Sequence, residues 1–302
     1  MSVFVDRHSR VIIQGFTGQH ATFHAEEAIA LGTNIVGGVT PGKGGTTHLG
    51  LPVFNSVAEA VAETGADVSG IFAPPAAAVD ALHEAIEAGI GVAVVIADGV
   101  PVQDMIRVKR YLTGRQTLII GPNSPGIITP GQCKVGIMPA HIYRSGRVGV
   151  VSRSGTLNYE AVSQMTRLGL GQSTCVGIGG DPVNGVDFRA VMQAFEEDDD
   201  TDVIVMIGEI GGNQETEAAR WATQYMHKPV VGFVAGVSAP RVRRMGHAGA
   251  FISGDSDTAT AKLDVMDGLG LYTVRNPAEI GDTVLRALKE AGTHSTAGGG
   301  GA

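Results

Sequence analysis

The sequence predicts an α/β fold built from two open, mostly parallel sheets. Three observations carry this. Short Val/Ile-rich runs alternate with stretches of helical spacing, once in each half of the chain. Glycines, 44 in all, cluster at the ends of those runs rather than at a fibrous period. A length of 302 residues favours two domains over one.

The first half opens with Val11-Ile12-Ile13-Gln14, a short buried strand ending at Gly15. Helical spacing follows over residues 20–31. Asn34-Ile35-Val36 starts a second strand that is expected to stop at Gly37-Gly38. Further strands are expected at Val68–Phe72, Val92–Ile96 and Leu118–Ile120, with helices over 56–64, 76–88 and 102–112. Residues 121–146 break the rhythm, because Gly121-Pro122-Asn123-Ser124-Pro125-Gly126 and Thr129-Pro130-Gly131 are turn chemistry. A domain boundary is placed near 125–146, giving domains over 1–125 and 146–292. Alternation resumes with Val148–Val151, a helix from about 155, and strands near 173–177, 203–208 and 229–234. The second half reads as a flavodoxin-like open sheet. The Gly/Ala/Ser/Thr-rich tail, 293–302, is expected to be disordered.

An apolar share of 43% and a charged share of 17% suit a globular protein with a large core. The net charge of −8 argues against a nucleic-acid partner. No apolar run is long enough to span a bilayer, and the N-terminus shows no secretory signal. Cys133 and Cys175 form no CxxC pair and read as reduced thiols. A cytoplasmic location is expected. No histidine pair has metal-ligand spacing with supporting carboxylates, so no metal site is expected; His8, His83, His227 and His294 read as surface positions.

Gly15-Phe16-Thr17-Gly18 follows the first strand and opens a helix, where a Rossmann-type sheet binds a pyrophosphate on free backbone N–H groups. His20 sits in the same loop. The second strand runs into Gly37-Gly38-Val39-Thr40-Pro41-Gly42-Lys43, without the acid that holds an NAD ribose. A lysine there suits a phosphorylated ribose, that of NADP or the 3′-phosphate of coenzyme A. The near match to a Walker A loop fails, since Gly44 replaces the magnesium-binding hydroxyl and no helix follows.

In the second half, Ser152-Arg153-Ser154-Gly155-Thr156 joins a strand to a helix and makes an anion site or an ordinary N-cap. Gly177–Pro182 and Gly208-Glu209-Ile210-Gly211-Gly212 are further strand-end loops. In Gly246-His247-Ala248-Gly249-Ala250 a lone histidine lies among small residues that leave its imidazole unobstructed. Glu209 is placed to orient such a histidine through Nδ1–H, leaving Nε2 as nucleophile. Arg241, Arg243 and Arg244 form a solvated basic face or neutralise a phosphate near His247.

From Val3 to about residue 290 the chain resembles the α subunits of succinyl-CoA synthetases. Gln14–Gly18, Gly37–Asn55, Gly121-Pro122-Asn123, Ser152–Glu160, Ser173–Pro182, Met206–Gly212 and Arg244–Ala250 carry the likeness. The resemblance implies a Rossmann-type CoA-binding domain followed by a CoA-ligase domain, acting on a dicarboxylate. It implies that His247 is phosphorylated and supported by Glu209. Thr17, Gly18, Gln19, His20, Lys43, Ile96, Ala97 and Asp98 would contact coenzyme A. Tyr159, Asn123 and Ser124 would lie near the acid, and Ser154, Gly155 and Thr156 would receive the phosphoryl group. Phosphate would pass reversibly among a nucleoside triphosphate, the acid and His247, with the CoA thiol attacking the acyl carbonyl. ATP or GTP with magnesium would sit on a nucleotide-grasp β subunit, consistent with the lack of a triphosphate motif here. Ala97-Asp98-Gly99, Ser124, Met138 and Ala140 depart from the commoner family residues, and malate–CoA ligase α subunits share the methionine. Substrate identity is therefore open between succinate and a hydroxylated relative such as malate, and the resemblance as a whole puts succinate ahead. An NAD(H)-binding Rossmann sensor and an NADP-dependent oxidoreductase are the competing readings.

Overall fold

The computed structural model describes residues 2–240 and 245–297, the last five by backbone alone. Two compact units emerge. One comprises Ser2–Ala140 with Val176–Val186; the other comprises His141–Cys175 and the chain from Asp187 onward.

In the first unit β1 (Val11–Gln14), α1 (Gln19–Leu31), β2 (Ile35–Val39), β3 (Thr47–His48), β4 (Leu51–Phe54), α2 (Val57–Thr64), β5 (Val68–Ile71), α3 (Pro75–Glu87), β6 (Val92–Val95), α4 (Val102–Tyr111) and β7 (Leu118–Ile120) follow in turn. β8 (Gly126–Thr129) and β9 (Cys133–Gly136) then form an antiparallel hairpin. The main sheet runs β3-β4-β2-β1-β5-β6-β7, parallel except at the short β3–β4 pair. Chain order reverses between β1 and its neighbours β2 and β5, which is where a doubly wound sheet leaves a crevice. Ile12, Ile71, Leu82, Ala93 and Val95 are among the residues closing the core behind it.

Local chemistry sets the helix ends. The Ser56 hydroxyl accepts the Glu59 N–H (3.2 Å) at the start of α2, and Gly65 ends it at φ +65°. β2 continues through Gly37-Gly38, which were expected to end it. The glycines are there for close packing: a Cβ on Gly38 would lie 2.1 Å from the Phe16 ring. Gly44 likewise leaves room for Asn55, whose Oδ1 accepts the N–H groups of Gly42 and Gly44. The near-Walker stretch is thus a turn leading into β3. Residues 176–186 are tied to this unit by bonds from Val186 N–H to Ile119 O (2.8 Å) and from Gly185 N–H to Gly121 O (2.9 Å).

The second unit holds β10 (Ser145–Ser152), α5 (Gly155–Arg167), most of β11 (Gln172–Gly177), α6 (Phe188–Glu197), β12 (Val203–Glu209), α7 (Gln214–Tyr225), β13 (Val230–Ala235), α8 (Ala259–Gly268), β14 (Tyr272–Val274) and α9 (Ile280–Ala297). The sheet of this unit runs β14-β13-β12-β10-β11, the flavodoxin order, with β10 and β12 parallel at the switch point. α9 continues through Ala297, so 293–297 extend the preceding helix, one backbone bond per residue, instead of starting an irregular tail. Residues 298–302 lie outside the described residues. Cys133 and Cys175 are free and buried, and burial pushes the Cys133 thiol up to about 12. His83 is half-buried, edge-on to Tyr111, rather than on the surface, whereas His8 and His227 are exposed. The side chain of His294 lies outside the described residues. Among those residues no helix is long and apolar enough to cross a membrane, and no cluster of three metal-ligating groups occurs.

Candidate active site

In the second unit the switch point carries a dense set of charges. β12 ends at Glu209, and β10 runs out through Ser152 to Arg153, so their side chains meet at the carboxyl edge of neighbouring strands. The Nδ1 atom of His247 lies 2.7 Å from Glu209 Oε2. Glu209 turns its other oxygen, Oε1, to Arg153 Nε at 3.2 Å. Arg153 and Glu209 are buried, while the imidazole is 28% exposed. A carboxylate only accepts hydrogen bonds, so the short contact puts the imidazole proton on Nδ1 and leaves a lone pair on Nε2.

The loop around His247 is shaped by close backbone contact. Gly211 has φ +90°, and a Cβ there would stand 2.2 Å from Gly249 O. Met245 N–H donates to Ala250 O (3.0 Å), and Ala250 N–H to His247 O (3.1 Å), closing the turn that presents the ring. Arg241, Arg243 and Arg244 lie outside the described residues.

α5 begins beside Arg153. Ser154 caps it by accepting the Leu157 N–H (3.3 Å), and Ser152 Oγ fixes Ser154 through its carbonyl (2.7 Å) and its N–H (3.0 Å). Gly155 and Thr156 are the first helical residues, whose N–H groups have no partner within a helix. Tyr159 lies one turn on, half-buried, with burial pushing its hydroxyl up to about 12, so it remains a neutral donor at physiological pH.

In the first unit a cavity of about 750 Å³ opens at the ends of β1 and β5. Of the eight expected cofactor contacts, Thr17, Gly18 and Lys43 line it; Gln19, His20, Ile96, Ala97 and Asp98 do not. Lys43 Nζ donates to Thr17 Oγ1 (3.0 Å), so the cation stands over the phosphate turn. A Cβ on Gly15 would lie 3.1 Å from Phe72 O, and one on Gly18 the same distance from Gly15 O. Bare backbone, a cation at the rim and apolar walls from Val39 and Phe72 fit a long ligand with phosphates at one end.

Asn123 and Ser124 follow the cis Gly121–Pro122 peptide. Asn123 N–H donates to Ala97 O (2.8 Å) and its Nδ2 to Asp181 Oδ1 (3.1 Å), which brings Ala97 and Asn123 together. Ser124 is buried. Its hydroxyl donates to Gly177 O (2.5 Å) and accepts the Gly126 N–H (2.9 Å).

Comparison with known proteins matches residues 6–99 to the CoA binding domain family and 151–266 to the CoA-ligase family. The α subunit of the ADP-forming succinate–CoA ligase of Staphylococcus aureus is 54% identical, covering 98% of each chain. That of Staphylococcus epidermidis is 53% identical over 97% of each. The chain belongs to the succinate–CoA ligase α-subunit family. Among solved structures, an ATP citrate lyase from Methanothrix soehngenii in complex with citrate and coenzyme A aligns at TM-score 0.87 and 27% identity. The match takes in 97% of this chain and 52% of that one, so the chain spans about half the lyase's length.

Three buried residues of this family member escaped sequence reasoning as site residues: Arg153, Glu215 and Lys262. Arg153 stood in a recognised motif beside a strand end. Glu215 and Lys262 carried no local signal.

Proposed function

We propose that this chain is the α subunit of an ADP- or GDP-forming succinate–CoA ligase whose chemistry runs through phosphorylated His247. The observation that carries the proposal is the 2.7 Å contact between His247 Nδ1 and Glu209 Oε2 at the β10/β12 switch point. It fixes the tautomer in which Nε2 is the nucleophile. In the CoA-forming direction, the Nε2–P bond forms as the bond from the γ-phosphoryl group to the nucleoside diphosphate breaks. His247 then gives the phosphoryl group to a succinate carboxylate oxygen, making an acyl phosphate and freeing Nε2. Coenzyme A supplies the thiol that displaces phosphate from that acyl group. Each step is reversible.

A phosphoryl group on His247 brings about two negative charges into the site. The N-terminus of α5, at Ser154, Gly155 and Thr156, offers N–H groups and the positive end of a helix dipole to them. Thr17, Gly18 and Lys43 hold the phosphates of coenzyme A, with Gln19, His20 and Ile96–Asp98 along its further course. Asn123, Ser124 and Tyr159 belong to the succinate end. Residues 1–125 form the CoA-binding domain and 146–292 the ligase domain. ATP or GTP with magnesium binds a nucleotide-grasp β subunit, since this chain has no triphosphate loop, and the complex works in the bacterial cytoplasm.

The test is to incubate the αβ complex with γ-labelled ATP or GTP. Label on this chain that survives base and is lost in acid, mapped to His247, is the expected result. Label on another residue, or none during turnover, sinks the proposal.

A further inference from the structure

The chemistry proposed for His247 draws on Glu209 and leaves a buried ion pair behind them without an assigned role. Lys262 on α8 and Glu215 on α7 are fully buried, with Lys262 Nζ 2.5 Å from Glu215 Oε2. An ammonium has three donors and no acceptor. All three donors of Lys262 are engaged: one with Glu215, one with Glu209 O (2.8 Å) and one with Gly211 O (2.7 Å). Glu215 returns to the same loop, its Oε1 accepting the Glu209 N–H (3.1 Å). The pair therefore grips Glu209 by both its backbone groups.

It also reaches the histidine. Gly211, held by Lys262 at its carbonyl, donates its N–H to Asp257 O (2.9 Å). Its Cα faces the backbone of Gly249 and Phe251 so closely that a Cβ would meet Gly249 O at 2.2 Å and Phe251 O at 2.8 Å. A shift of residues 209–211 thus moves the carboxylate and the turn that presents His247 together. Gly208 completes the fit, since a Cβ there would stand 2.3 Å from Glu215 Cγ.

We infer that Lys262, acting with Glu215, is a positioning residue for phosphoryl transfer, setting Glu209 and the His247 turn in register. The inference rests on the phosphohistidine reading above. Fold stability alone is a poor reason for such a pair, because buried ion pairs are often replaced by apolar residues at no loss. Every bond that the ammonium makes falls on the 209–211 loop or on the glutamate that grips it.

The experiment compares the αβ complex of wild type with Lys262→Met and with the double variant Lys262→Met/Glu215→Leu. Lys262→Met leaves Glu215 buried and unpaired, so both melting temperature and activity fall. The double variant recovers much of the melting temperature, because Lys262 and Glu215 leave together and Arg153, 3.9 Å from Glu215 Oε1, keeps Glu209 as its partner. Its single-turnover phosphorylation of His247 stays about 10²-fold slow, as misplaced reacting groups require, while KM for coenzyme A is unchanged. Nitrogen-15 spectra of the imidazole show wild-type His247 as the Nδ1–H tautomer and the double variant as a mixture. Recovery of phosphorylation together with the melting temperature overturns the inference, as does a single Nδ1–H tautomer in the double variant. Absence of label from wild-type His247 overturns the phosphohistidine reading instead, and the tautomer still decides the role of Lys262.

Discussion

His247 Nδ1 and Glu209 Oε2 stand 2.7 Å apart, while Arg153 Nε faces the other oxygen of the same carboxylate at 3.2 Å. The carboxylate is thus fixed between a cation on one strand end and an imidazole on a separate turn. On the proposed chemistry its contribution would be orientation and charge, holding the proton on Nδ1 and balancing the ring's charge were Nε2 to take a phosphoryl group.

Glu209→Gln should therefore slow labelling of His247 by about 10²-fold or more, since a neutral amide neither selects the tautomer nor balances the charge. His247→Asn should abolish labelling. Both should bind coenzyme A as wild type does, because the cavity proposed for it is lined by residues between Gln14 and Glu84. Rapid-quench labelling and calorimetry check the two arms; a Glu209→Gln enzyme with wild-type labelling rate refutes the orienting role.

Lys43 stands over the phosphate turn through its 3.0 Å bond to Thr17 Oγ1. If it neutralises the 3′-phosphate, Lys43→Ala should weaken coenzyme A by at least about ten-fold, one lost charge-assisted bond. Dephospho-CoA should bind wild type and variant alike. Titration of both ligands into both proteins reads the cycle, and an equal loss for the two ligands removes Lys43 from the 3′-phosphate.

Acid should loosen α1. Buried Lys134 bonds Glu27 Oε2 at 2.6 Å, and His24 Nδ1 lies 3.4 Å from the same oxygen. Burial pushes the Glu27 carboxyl up, but the hydrogen bond and charge of Lys134, with His24, hold it below the usual range. Burial, then the Lys134 charge, hold His24 below the ordinary histidine value of 6.5. Both groups bind fewer protons folded than unfolded, so both stabilise above their unfolded values and lose that contribution as pH falls through the folded ones. Protection of Gln19–Leu31 in hydrogen exchange, corrected for intrinsic rates, should drop from pH 6.5 downward. Lys134→Met should flatten that dependence; an unchanged slope would rule the triad out as its cause.

What was legible in the sequence depends on whether the signal was local. His247 stood out because its neighbours are small, and Glu209 because it is the one acid in a strand-end loop. Alternation pointed to the open parallel sheet of the second half but not to its strand order, and the three-residue β14 carried no periodicity to detect. Lys262 was silent, because its partner Glu215 lies 47 residues away and only the folded chain joins them. A lysine beside Leu263 on a helix reads as solvated until its three acceptors are seen. The β8–β9 hairpin was hidden inside turn-rich sequence, its two strands only four residues each. Thr129-Pro130-Gly131 was read correctly as a turn, yet strands that short leave almost no periodicity to detect.

The substrate prediction turns on Ser124. The resemblance led us to expect Ser124 near the acid, where a free hydroxyl would meet a 2-hydroxyl of the substrate. The structure engages that hydroxyl elsewhere: its proton goes to Gly177 O and one lone pair takes the Gly126 N–H, in a residue only 3% exposed. A hydroxyl so placed has no donor left for a 2-hydroxyl of malate. A pocket that only tolerates an added hydroxyl discriminates weakly, whereas one built to bond it rejects the plain analogue strongly. Without that bond, succinate should keep the higher kcat/KM by a modest factor, up to about ten-fold or roughly 1.4 kcal/mol in transition-state binding. Ser124→Cys should lower kcat/KM for succinate and malate together, because the thiol is a weaker donor to Gly177 O and loosens the loop for both. The ratio between the two acids should hold. A malate preference in wild type, or a ratio that moves sharply in Ser124→Cys, would return the serine hydroxyl to the substrate and reverse the assignment.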